Sequence, residues 1–70
     1  MLREPVDSSN LVSVGYDPQT MILEVEFKKG TVYQYEGVPM DIYTQLMTSV
    51  SKGSYHYRNI RMSFPYRQVQ

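Results

Sequence analysis

Met21-Ile22-Leu23-Glu24-Val25-Glu26-Phe27-Lys28-Lys29-Gly30-Thr31-Val32-Tyr33-Gln34-Tyr35-Glu36 is the stretch whose reading decides the fold. Met21, Leu23, Val25 and Phe27 alternate with Ile22, Glu24, Glu26 and Lys28. That period of two marks a strand with one apolar face. Thr31 to Glu36 reads as its hairpin partner, and the loop between them decides where the tyrosines point. A two-residue loop at Lys29-Gly30 would place Tyr33 and Tyr35 on the glutamate face. A three-residue loop at Lys28-Lys29-Gly30 would set them opposite Val25 and Leu23. Lysine is unfavourable where a type I′ turn demands positive φ, whereas glycine suits the third position of a type I turn with a G1 bulge. The three-residue loop is therefore expected, with Tyr33 and Tyr35 inward and their hydroxyls seeking partners at the core edge. The opposite face then carries Ile22, Glu24, Glu26, Val32, Gln34 and Glu36. Its three carboxylates repel phosphate, so it is not a stacking platform of the kind RNA-binding sheets expose.

Upstream, Leu11 to Tyr16 reads as another strand, joined through a turn at Asp17-Pro18-Gln19-Thr20. Residues 1–10 are polar, with Pro5, Ser8, Ser9 and Asn10, and read as a lead-in. Downstream, Gly37-Val38-Pro39 closes the sheet and opens a helix, with Asp41 in its first turn. Val38, Ile42, Leu46 and Val50 recur every four residues, and Tyr43 and Met47 widen the stripe. Gly53 is the expected stop. Residues 54–70 show no clean period, and Pro65 argues against a central strand there. The expected fold is α+β: a three-stranded antiparallel meander packed by one α-helix, with an irregular basic-aromatic C-terminal segment. Residues 1–7 are the lead-in, 8–67 the domain and 68–70 a tail.

The chain has 70 residues, no cysteine and no tryptophan, with seven tyrosines and two phenylalanines. That excludes disulfides and thiolate metal sites. No apolar run reaches membrane-spanning length, and the polar start is unlike a secretory signal, so a cytoplasmic protein is expected. A core this small is marginal. Close aromatic packing, a partner subunit forming a homo-oligomer, or both must support it. Seven basic and seven acidic side chains balance, but unevenly. Residues 1–50 sum to −4, and Lys52, Arg58, Arg61 and Arg67 give the remainder +4 with no acid. Such a split suits an anion-binding segment, and equally a tail that neutralises its own sheet.

Ser8-Ser9, Gly15-Tyr16-Asp17, Leu23-x-Val25-x-Phe27, Gly30, Tyr33-x-Tyr35, Val38-Pro39, Tyr43, Ser51-x-Gly53 and Asn59-Ile60-Arg61 together resemble the KTSC domain over about residues 6–67. That family is named for its occurrence at the C-terminus of some lysyl-tRNA synthetases. It also occurs as stand-alone bacterial and phage proteins. The resemblance implies no established activity, and the synthetase context suggests RNA binding. After Gly53 the family continues with an aromatic pair and Asn. Here Tyr55-His56-Tyr57 departs at His56 and Tyr57, while Arg58-Asn59-Ile60-Arg61 fits.

Ser8 or Ser9 with His56 and an Asp would supply a nucleophile, base and orienter. No spacing demands that set, and so short a chain leaves little room for an oxyanion hole. No cofactor and no metal site is indicated: one histidine and scattered carboxylates have no ligand spacing. Binding fits better. Lys52, Arg58, Arg61 and Arg67 offer charge for phosphate, interleaved with Tyr55, His56, Tyr57 and Tyr66 as flat surfaces for bases. Asn59 can read an edge, and Ser8 and Ser9 can donate to phosphate. The same segment also reads as packing, with Tyr55 and Ile60 in the core, Asn59 a cap and the arginines solvated. The expected function is a non-enzymatic module binding a phosphate-bearing ligand, RNA first. The alternatives are an oligomer sequestering a nucleotide signal between subunits, and a protein–protein interaction module.

Overall fold

The computed structural model describes residues 1–70. Five antiparallel strands lie in sequence order: β1 (Glu4–Pro5), β2 (Leu11–Asp17), β3 (Ile22–Phe27), β4 (Val32–Tyr35) and β5 (Tyr66–Gln68). Two helices, α1 (Met40–Thr48) and α2 (Lys52–Asn59), sit between β4 and β5. The expected three-stranded meander with one helix is thus the centre of a larger five-stranded, two-helix α+β fold.

The central hairpin has the expected register. Tyr33 pairs with Val25 and Tyr35 with Leu23. The Phe27 amide donates to the Thr31 carbonyl (2.9 Å), which closes a loop of Lys28, Lys29 and Gly30. Gly30 has φ +97°, and a Cβ there would touch nothing within 4 Å. Any penalty for a side chain is therefore backbone strain alone. Gly30→Val is expected to lower stability by about 1–2 kcal/mol, read as a shift in the urea midpoint. A neutral result would mean that the turn does not hold the register.

The three differences from expectation have separate physical causes. The lead-in joins the sheet because Arg3 reaches across it. The arginine donates through Nε to Ser13 Oγ (2.9 Å) and pairs with Glu24 and, at 3.8 Å, with Glu26. Beneath it Gly15 leaves room that a side chain would fill, since a Cβ there would stand 2.6 Å from the Leu2 carbonyl oxygen. The glutamate face is therefore covered in its middle rather than open, and Glu24 is only 6% exposed. The C-terminal segment is not irregular. Pro65 precedes β5 instead of interrupting it, and its carbonyl accepts from the Glu36 amide (2.9 Å). An edge strand tolerates proline at its start. The helical stripe also breaks earlier than its spacing suggests. Ser49 is extended, Val50 is fully exposed, and Gly53 lies inside α2 instead of ending α1. The inward positions of α2 and its C-cap, His56 and Ile60, are four residues apart. Counting histidine as polar hides that period.

One sheet face and both helices enclose the core: Leu11, Val14, Leu23, Val25, Phe27, Tyr35, Val38, Leu46 and Ile60. Tyr16 stacks on Tyr43 of α1 (4.7 Å, 9° between planes) and donates to the Val38 carbonyl (2.6 Å). No helix is long and apolar enough to cross a membrane.

Candidate functional site

The helices leave one corner of the apolar face open. There alternate residues of β4 and β5 bring Tyr33, Tyr35 and Tyr66 to the same side, all three lining one cleft. Their rings lie 5.6–6.4 Å apart between centroids. Phe27 meets Tyr33 edge-on at 5.8 Å. From α2, His56 packs edge-on against Phe27 (5.1 Å) and Tyr35 (5.3 Å). The result is a cleft of about 320 Å³, lined by these five rings with Asn10, Lys29, Tyr57 and Arg61. No carboxylate lines it.

Its floor is polar but internally paired. The Tyr35 hydroxyl lies 2.7 Å from His56 Nε2, with both residues buried. Burial, aided by the positive charge of Arg61, pulls the His56 pKa down to about 4. The imidazole is therefore neutral near pH 7. Burial also pushes the Tyr35 phenol up to about 12. A protonated phenol donating to a neutral Nε2 satisfies both groups, so neither is poised as a catalytic acid or base near neutrality.

The rim supplies the charge. Arg61 lies 5.1 Å from the Tyr57 ring centroid, and Lys29 crowns the hairpin loop. Both ion pairs of the chain belong to Arg3. Arg58, Arg61 and Arg67 therefore neutralise none of their own carboxylates. Tyr66, 54% exposed, keeps much of its surface open to solvent.

The sequence-expected residues do not form one site. His56, Tyr57 and Arg61 reach the cleft. Tyr55, Arg58 and Asn59 line a second, shallower depression with Ser49, Ser51 and Ser54. There Tyr55 donates to Gln45 Oε1 (3.1 Å), and Asn59 caps its own helix by donating to the Tyr55 carbonyl (3.2 Å). Arg67 points to the other sheet face, where it donates to Gln34 Oε1 (3.3 Å). Lys52 donates to the Ser49 carbonyl (3.2 Å). Ser8 Oγ accepts from the Asn10 and Leu11 amides (3.2 Å each) and shapes a local turn. Ser9, exposed, is not among the cleft-lining residues. Asn10, Phe27, Lys29, Tyr33 and Tyr35 join the site unannounced by the charge and aromatic pattern of residues 51–70. For Phe27, Tyr33 and Tyr35 the signal lay in the hairpin register, which turns them to this face, whereas nothing in the sequence marked Asn10 or Lys29. No group of three or more His, Asp or Glu side chains gathers as a metal site.

The family model described as KTSC domain matches residues 7–64. An uncharacterized protein of Stutzerimonas stutzeri is 42% identical over 67 residues, covering 96% of this chain and 93% of its own length. A lysine–tRNA ligase of Nostoc sp. is 33% identical over 63 residues, where 90% of this chain corresponds to 11% of the ligase. The crystal structure of a KTSC domain protein from Yersinia pestis superposes with a TM-score of 0.93 at 40% identity. That alignment covers 99% of this chain and 97% of the other.

Proposed function

The chain belongs to the KTSC domain family, and from that premise we propose that it is a non-enzymatic module binding single-stranded RNA through the aromatic cleft. The observation that carries this reading is a ring-lined, carboxylate-free cleft whose two cations, Lys29 and Arg61, have no acidic partner. Bases stack on exposed aromatic faces whatever their sequence, and unpaired cations attract the phosphates between them. At about 320 Å³ the cleft lies near the lower end of the roughly 300–1,000 Å³ typical of ligand sites. That suits one nucleotide of a flexible strand, and a duplex keeps its bases stacked away from such a recess. The ligase relative handles an RNA substrate by its printed name, which is consistent with the same ligand class.

Salt-dependent binding of a short single-stranded RNA tests the reading. Tyr66→Ala is expected to weaken binding by about 1–3 kcal/mol, the value of one stacked base. Arg61→Ala should lower the slope of log affinity against log salt by about 1. Arg58→Ala, on the far side of α2, should leave affinity nearly unchanged. Absence of salt-dependent binding, or equal losses from the two arginines, would remove the cleft as the site.

A further inference from the structure

The two cations of the cleft stand at opposite ends of it. Lys29 sits in the β3–β4 loop beside Lys28, whose amide donates to the Asn10 carbonyl (3.0 Å). Asn10 in turn abuts the start of α2, since a Cβ on Gly53 would lie 3.4 Å from Asn10 Cβ. Lys29 and Asn10 thus mark the end of the cleft nearest the first turn of α2. Arg61 lies past the other end, where its amide donates to the His56 carbonyl (2.9 Å) and closes the helix. A helix rises about 1.5 Å per residue, so Gly53 and Asn59, the last residue of α2, are separated by about 9 Å along its axis, and Arg61 lies beyond that end. His56 and the rings of Phe27 and Tyr35 fill the interval between them.

A ligand with one anionic end satisfies only one of these cations. Each nucleotide inside a strand is bracketed by two phosphates, one on its 5′ side and one on its 3′ side. We infer that the cleft takes one internal nucleotide, with its base against Tyr33 and Tyr66 and its two flanking phosphates divided between Lys29 and Arg61. This rests on the strand-binding reading above and adds what the site measures, namely a phosphate on each side of a single base. The smallest complete ligand is then a nucleoside 3′,5′-bisphosphate. Adenosine, with neither phosphate, retains stacking alone.

Calorimetric titration with adenosine 3′,5′-bisphosphate, adenosine 5′-monophosphate, adenosine 3′-monophosphate and a short oligoadenylate tests this. The bisphosphate is expected to bind at least about tenfold more tightly than either monophosphate, the value of one charge-assisted hydrogen bond. Lys29 and Arg61 are both exposed, so Lys29→Ala and Arg61→Ala leave the core intact. Each variant should remove the preference for the bisphosphate over one monophosphate, and the two variants should remove it over different ones. Equal binding of mono- and bisphosphates, with the oligonucleotide still bound, overturns the two-phosphate reading and leaves strand binding standing. Bisphosphate binding without oligonucleotide binding assigns the cleft to a free nucleotide and overturns it. No binding of any of them overturns both.

Discussion

Acidification from neutral pH to pH 4 is expected to cost the fold about 3 kcal/mol through His56 alone. Burial, with the charge of Arg61 adding to it, lowers the folded pKa from 6.5 to about 4. In the unfolded chain the imidazole takes a proton below pH 6.5, whereas in the fold it refuses one until about pH 4. Stability from this group is therefore full above pH 6.5, falls as the pH drops towards 4, and levels off below. The chain has a single histidine, so its imidazole proton resonance reports this titration without overlap. Urea unfolding across the same pH range gives the free energy. Titration near 6.5 would show that the Tyr35–His56 pair is open to water. The double variant Tyr35→Phe with His56→Phe removes the donor, the acceptor and the titrating group together, and should flatten the curve in this window.

Arg3→Ala is expected to destabilise the fold by about 3 kcal/mol, because it strands a buried carboxylate. Burial pushes the Glu24 pKa up, but hydrogen bonds from Gln34 and Arg3, with the charge of Arg3, outweigh it and hold the carboxyl below its usual value. Gln34 donates to Glu24 Oε1 (2.7 Å) and Ser13 to Glu26 Oε1 (2.8 Å), so the arginine closes a connected network. Without it Glu24 keeps only Gln34. In the intact protein the depressed Glu24 pKa contributes stability above the unfolded value, and that contribution fades as pH falls through the folded one. Arg3→Ala should erase this dependence. Arg3→Ala combined with Glu24→Gln should be markedly more stable than Arg3→Ala alone, since a neutral amide tolerates burial better than an unpaired charge. Urea midpoints of the two single variants and the double measure the coupling. A change within about 0.5 kcal/mol for Arg3→Ala would place the pair among surface ion pairs of little weight.

The two halves of the chain differ in how far their structure is legible. From Leu11 to Tyr35 local rules suffice. Alternating side chains choose a face, and the backbone requirement at Gly30 chooses the loop length. Two to four neighbouring residues carry each decision. At Arg3 and Tyr66 the decision belongs to partners far along the chain. Arg3 is held by Ser13 and Glu24, and Tyr66 by pairing with Tyr35. A strand of two or three residues has too few side chains to declare a period of its own. His56 was legible as a candidate and misleading as a polar residue, because its role as a core side chain appears only beside Phe27 and Tyr35.

The sequence by itself determined the hairpin, its register and the inward turn of Tyr33 and Tyr35, since alternation and backbone geometry act between near neighbours. It also determined that positive charge would gather after residue 50. Only the tertiary structure decided which of those charges share a site. Side chains adjacent in sequence, such as Tyr55 and His56, leave a helix in different directions. Lys29 and Arg61, far apart in the chain, meet at one cleft because the sheet and α2 bring their ends together.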